Sequence, residues 1–184
     1  LERRGNVEYI LIAIVVLILI VIIISVSNKL NKAIVKIDEA ASGIDVALSK
    51  RYDVLTKMMD TVKAYAKHEK ETLFEVINLR KGMSLEEKNE ENSKMTKNLE
   101  RINVLAEAYP ELKSSENYKT LQQSIVDVEE HLQAARRMYN SNVSMFNQMI
   151  VTFPTSIVAN SKSLTKKAFF EAEDVKKSDV KIDL

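Results

Sequence analysis

Residues 116–152 read ENYKTLQQSIVDVEEHLQAARRMYNSNVSMFNQMIVT, and the fold class follows from where their apolar side chains fall. Tyr118, Leu121, Ile125, Val128, Leu132, Ala135, Tyr139, Asn142, Phe146 and Met149 succeed one another in steps of three and four. On a helix of about 3.6 residues per turn, such steps put all of them on one face. Pro154 punctuates the end of the pattern.

Upstream, Asn92, Met95, Leu99, Ile102, Ala106 and Tyr109 repeat the spacing over a predicted helix of residues 85–109. Ser84-Leu85-Glu86-Glu87 opens it as a capping box, in which the Ser84 hydroxyl and the Glu87 carboxylate each accept a backbone N–H that the helix leaves unpaired. Pro110 closes it, because proline disfavours a helical residue before it. Lys81-Gly82 marks the end of a preceding helix, since glycine accepts the left-handed conformation there.

That first helix is predicted over residues 28–80. Leu30, Ile34, Ile37, Ala41, Ile44, Leu48, Leu55, Met58, Val62 and Tyr65 share a frame that Val76 rejoins, interrupted at Arg51, Glu69 and Thr72. A shorter fourth helix over 155–170 carries Ile157, Val158, Leu164, Phe169 and Phe170, and residues 171–184 form a charged tail.

Glycine occurs three times and proline twice in 184 residues, too few for the closely spaced turns of a sheet protein. The fold class expected is therefore all-α: an antiparallel up-and-down four-helix bundle of long helices over 28–170. Heptads this long could pair with other chains as coiled coils. Matched apolar faces within one chain make internal packing the lower-cost solution, because loop closure costs little.

Every residue from Ile10 to Ile24 is apolar, and Tyr9 and Val26 extend the run to eighteen. As a helix it spans about 27 Å, against a hydrocarbon core of about 30 Å. Residues 9–27 are read as a transmembrane helix behind a short flank of residues 1–8, with the lipid bilayer as its partner and Tyr9 at an interface. A cleavable signal peptide is the rival, with Arg3 and Arg4 as its positive start and Ser25-Val26-Ser27 as a small-x-small site. The helical pattern that continues past the run favours an uncleaved single-pass anchor. Two basic residues precede the span and Lys29, Lys32 and Lys36 follow it, which leans the bundle towards the cytoplasmic side of a cell membrane.

The net charge of +1 argues against nucleic acid as a partner, since neutralising many phosphates needs a basic excess. The absence of cysteine removes disulfides and thiolate chemistry. His68 and His131 are the only histidines; neither has a glutamate three residues before it, nor a second histidine four residues on, so both read as surface or capping residues. No glycine-rich phosphate loop or serine elbow is present, and the runs Glu86-Glu87 and Glu90-Glu91 read as solvated faces. The expectation is a non-enzymatic protein with no metal and no cofactor.

Several stretches together carry a resemblance. Lys50-Arg51-Tyr52-Asp53 runs on to Thr61-Val62-Lys63-Ala64-Tyr65-Ala66-Lys67-His68-Glu69, followed by Glu107-Ala108-Tyr109-Pro110-Glu111-Leu112-Lys113. Ala135-Arg136-Arg137-Met138-Tyr139-Asn140, Phe146-Asn147 and Phe153-Pro154 complete the series. In order and spacing these resemble the LemA family of bacterial membrane proteins, over most of the chain from Lys32 to Phe170. The resemblance implies an N-terminal transmembrane helix, a bundle of long antiparallel helices, no known catalytic activity, and a setting in envelope maintenance or stress signalling. The chain departs from the family at Thr56, where a proline often stands, and at Asn160-Ser161-Lys162-Ser163, where an apolar patch is usual.

Arg51 and Asn142 fall inside apolar stripes and lie in or beside those stretches with Tyr52, Asp53, Tyr139, Asn140 and Asn147. Either Arg51 snorkels to the surface and pairs with an acid, or these residues form a semi-buried polar cluster joining the first and third long helices. Such a cluster can set register or serve recognition. Tyr139, Phe146 and Phe153 read as core aromatics. The function expected is a tethered module for an unidentified protein partner; the alternative is a self-associating spacer at the membrane.

Overall fold

The computed structural model describes residues 2–66 and 74–170, with side chains from residue 9 onward. It contains five helices: α1 (Glu2–Tyr65), α2 (Leu85–Ala108), α3 (Pro110–Ser114), α4 (Glu116–Val151) and α5 (Thr155–Ser161). No strand occurs among the described residues, so the all-α class stands. The charged tail and His68 lie outside the described residues. The helices divide between two compact units, one from the described parts of 1–39 and 140–168, the other from those of 40–139 and 169–184.

In the second unit, Leu55, Met58 and Val62 of α1 meet Met95, Ile102 and Ala106 of α2, Leu112 of α3, and Tyr118 and Ile125 of α4 in one buried cluster. Removing this much apolar surface from water is the main stabilising term. The α2 N-terminus is the capping box that its sequence announces: Glu87 N–H donates to Ser84 Oγ and Ser84 N–H to Glu87 Oε2. Pro110 occupies the first turn of α3, where its missing N–H leaves nothing unpaired. Phe170, fully buried, lies beneath the Arg136 guanidinium at 5.0 Å.

The first helix is shorter than its spacing predicts. It ends at Tyr65 instead of Arg80, and residues 75–80 lie outside any helix. Glu75 pairs with Asn98 and Arg80 with Glu87, so five residue steps run alongside eleven positions of α2. At about 1.5 Å per helical residue, that is roughly 3.3 Å per step, the rise of an extended chain. Ile77 and Leu79 pack on the core while Val76 is 74% exposed, a period of two where a helix would need 3.6.

This extended return sets the direction of α2. Lys88 pairs with Asp45, and Asn92 and Thr96 with Arg51, so α2 runs parallel to α1. Glu129 meets Arg51 and Asn117 meets Thr61, so α4 runs antiparallel to α1.

In the first unit, Leu30 and Ile37 of α1, Val143, Phe146 and Ile150 of α4, and Val158 and Ala159 of α5 are buried. Asn142 Nδ2 donates to the Lys36 carbonyl at 3.1 Å, and Lys162 Nζ donates to Asn31 Oδ1 at 3.2 Å and to Ser27 Oγ. The fourth helix stops at Ser161, not Phe170. Ser163 adopts φ 52°, its N–H donates to the Asn160 carbonyl and the Leu164 N–H to the Ala159 carbonyl, each at 3.0 Å. This paired closure of the last turn ends a helix. Phe153 is no core residue: α4 has ended at Val151, the cis Phe153-Pro154 bond follows, and the ring is 77% exposed.

The apolar run from Tyr9 to Ile24 is exposed all around the α1 helix. It makes α1 long and apolar enough to cross a membrane.

Candidate functional site

Arg51, the second residue of the Lys50-Arg51-Tyr52-Asp53 stretch, sits on the α1 face that packs inward and is 2% exposed. Burial forbids the snorkelling read from its sequence, so the guanidinium must find its partners within the fold. Its Nη1 donates to the Asn92 carbonyl at 3.0 Å and to Asn92 Oδ1. Its Nη2 donates to Thr96 Oγ1 at 2.8 Å, and its Nε lies 2.6 Å from Glu129 Oε1. One α1 side chain thereby holds α2 through two residues and α4 through a third. The carbonyl that Asn92 gives to Arg51 also accepts from Thr96 Oγ1 at 3.3 Å, closing the network within one turn of α2.

A second polar arrangement anchors the extended segment. Asn98, fully buried on α2, accepts from the Glu75 N–H at 2.8 Å and donates to the Glu75 carbonyl at 2.9 Å. The Glu91 carboxylate, 6% exposed, accepts from the Asn78 N–H at 2.7 Å. A lone extended segment has unpaired backbone groups, and here α2 side chains stand where a neighbouring strand's backbone would. Burial by itself would raise the Glu91 carboxyl; the hydrogen bonds from Lys94 and the Asn78 N–H outweigh it and hold it below the usual carboxylate value. Glu91 and Glu90 hold the Lys94 ammonium above its usual value in return. Glu91 therefore departs from the solvated-face reading.

Of the seven residues singled out in the sequence, Arg51, Tyr52, Asp53 and Tyr139 belong to one unit, and Asn140, Asn142 and Asn147 to the other. Tyr52 packs half-buried on the core and its carbonyl accepts from the Thr56 hydroxyl at 2.8 Å. Asp53 is exposed, Tyr139 is buried and Asn140 is half-buried. Asn142 bonds Lys36, and Asn147 holds both backbone groups of Lys167, at 2.8 and 2.9 Å. What Arg51 gathers is thus a different set: Asn92, Thr96 and Glu129. Asn92 carried a signal, as a polar residue inside the α2 stripe; Glu129, Asn98 and Glu91 carried none in their own neighbourhoods.

His131 is exposed on α4, where its Nδ1 donates to the Asp127 carbonyl at 2.6 Å, in keeping with a surface role. Among the described residues no three of His, Asp and Glu stand together as a metal site. An open groove of about 1070 Å³ runs between α2 and α4, lined by Leu99, Asn103, Gln122, Val126, Glu130 and Arg137. Its lining mixes polar and apolar side chains.

Comparison with known proteins agrees with the motifs. The sequence profile described as the LemA family matches residues 40–184. A protein named Protein LemA from Metamycoplasma hominis is 32% identical over 158 residues, covering 83% of this chain and 72% of that protein. The profile match takes in the Arg51 network, the extended return and the groove alike, and the chain belongs to the LemA family.

Proposed function

We propose that this chain is a single-pass membrane protein whose helical bundle acts as a protein-interaction module beside the bilayer, in envelope maintenance or stress signalling. One observation carries the reading: the apolar side chains from Tyr9 to Ile24 are all exposed, and nothing among the described residues covers them. Lipid is the environment in which such a surface costs nothing. Tethering raises the local concentration of the bundle, so a shallow, mixed surface such as the α2–α4 groove suffices for a partner.

Two measurements test it on the full chain. Alkaline extraction should leave the protein in the membrane fraction, and Leu17→Arg with Ile18→Arg should release it. A photo-crosslinker at Val126 in the groove should give discrete adducts with another protein, while one at exposed Val35 should not. Adducts only between copies of this chain would replace the module with a self-associating organiser.

A further inference from the structure

The end of α4, the Phe153-Pro154 turn and α5 form a corner whose chemistry the anchor alone does not use. Three of its large apolar side chains, Val151, Phe153 and Ile157, are turned to solvent. Scattered single residues of this kind are ordinary, but three within seven positions at one corner are a patch.

The register of the unit places that patch. Asn142 is bonded to Lys36, and α4 runs back along α1 from there. Nine residues on, at about 1.5 Å each, Val151 comes level with Ser27, the first residue past the apolar run. Independently, Lys162 at the end of α5 donates to Ser27 and Asn31. Both ends of the corner therefore lie at the level where α1 leaves its apolar run.

The charge there has one sign. Residues 25–37 contain Lys29, Lys32 and Lys36, residues 140–168 contain Lys162, Lys166 and Lys167, and neither stretch contains an Asp or Glu. Lys29, Lys32 and Lys36 line one wall of a groove of about 630 Å³ whose other wall presents Met145, Met149 and Phe153 among Asn142, Gln148 and Thr152. A cationic wall facing an apolar one suits a molecule with an anionic head and an apolar tail.

We propose that this corner is a second membrane contact, with Phe153, Val151 and Ile157 dipping into the interfacial layer and the lysines holding anionic lipid headgroups of the leaflet α1 emerges from. The proposal rests on the anchor reading. It adds that the unit carrying this corner is held to the bilayer at two points, which fixes that unit's tilt where a single helix would let it swing.

The protein contains no tryptophan, so Phe153→Trp introduces a sole reporter at an exposed position. Val104→Trp, exposed on α2, serves as the water-facing reference. The full chain is reconstituted into phosphatidylcholine vesicles holding about one-third phosphatidylglycerol, with and without bromine on the acyl chains, at unchanged helical circular dichroism.

The tryptophan at 153 should emit to the blue of the reference and lose at least about half its intensity to brominated lipid, while the reference is unquenched. Neutral vesicles, or Lys29→Gln with Lys32→Gln and Lys36→Gln, should reduce that quenching about twofold. Flotation with the vesicles reads the anchor separately. A chain that floats but whose reporter is water-like and unquenched overturns the second contact and leaves the anchor standing; a chain that does not float overturns both. A blue-shifted but unquenched reporter means that protein covers the corner, and equal quenching in neutral vesicles removes the anionic headgroup; either overturns the proposal as stated.

Discussion

Arg51 Nε lies 2.6 Å from Glu129 Oε1, and because the other nitrogens of that guanidinium bond α2, this single ion pair completes a three-helix tie. A charge so deeply buried contributes specificity more securely than it contributes stability, since desolvation offsets much of its attraction. α2 and α4 must each present a partner to this one α1 guanidinium, which ties the relative placement of the three helices to its geometry.

Removing either partner leaves the other charged and poorly solvated. Arg51→Ala should destabilise the full chain by about 3–5 kcal/mol, and Glu129→Ala by less, about 1–3 kcal/mol, because its side chain is 31% exposed and water replaces part of the loss. Chemical denaturation in detergent, followed by helical circular dichroism, measures both. A double-mutant cycle should return a coupling above about 1 kcal/mol; additivity would show that the pair is incidental.

Asn98 is the second tie, and its amide satisfies both backbone groups of Glu75. Asn98→Ala strands a buried donor and acceptor and leaves a cavity, so a loss of about 2–3 kcal/mol follows. The effect should be local as well. Hydrogen exchange at the Glu75 and Asn78 amides should accelerate well beyond that of the α2 interior. Uniform acceleration across the bundle would mean that Asn98 only fills space.

How much of this was legible in the sequence depends on where each residue's partners sit. The α4 stripe of Tyr118, Ile125, Val128, Leu132, Tyr139 and Phe146 is buried as its spacing predicts, because helix periodicity is a local property repeated over many turns. The segment at 75–80 reads as helix because Val76 fits the helical frame as well as it fits an alternation. Six residues are too few to separate the two periods, and the deciding partners, Asn98 and Glu91, lie 23 and 13 residues away. Arg51 announced itself by interrupting a stripe. Glu129 could not, being one more acid beside Val128. Phe153 matched the spacing of Tyr139 and Phe146 in steps of seven, yet that frame ceased to apply once the helix ended at Val151.

Gly43 and Gly82 should respond to alanine with opposite sign. Gly43 is within α1, where a Cβ would sit 4.0 Å from Ala135 Cβ in ordinary contact, so Gly43→Ala should stabilise by about 0.5–1 kcal/mol. Gly82 has φ +78° with open space around it, so Gly82→Ala meets no atom but must adopt a left-handed backbone, costing about 1 kcal/mol. Gly82→Asn should recover part of the loss, since asparagine tolerates that region. Equal responses at both sites would contradict the turn.

The last prediction concerns acid. The folded carboxyl of Glu91 is held below its ordinary value of 4.5, so the stability it contributes is fully present above that value and fades as pH falls through the folded one. Glu91→Gln keeps an acceptor for the Asn78 N–H but cannot titrate. The variant should be less stable than the native chain near neutrality, by about 1 kcal/mol, and the gap should close as pH falls below 4.5 through the lowered folded value. Glu87, also lowered through its hydrogen bond with Ser84 and its contact with Arg80, titrates in both proteins and cancels in the comparison. Unfolding midpoints measured across that range give the difference directly, and a gap independent of pH would mean that the carboxylate's charge takes no part in holding the extended segment to α2.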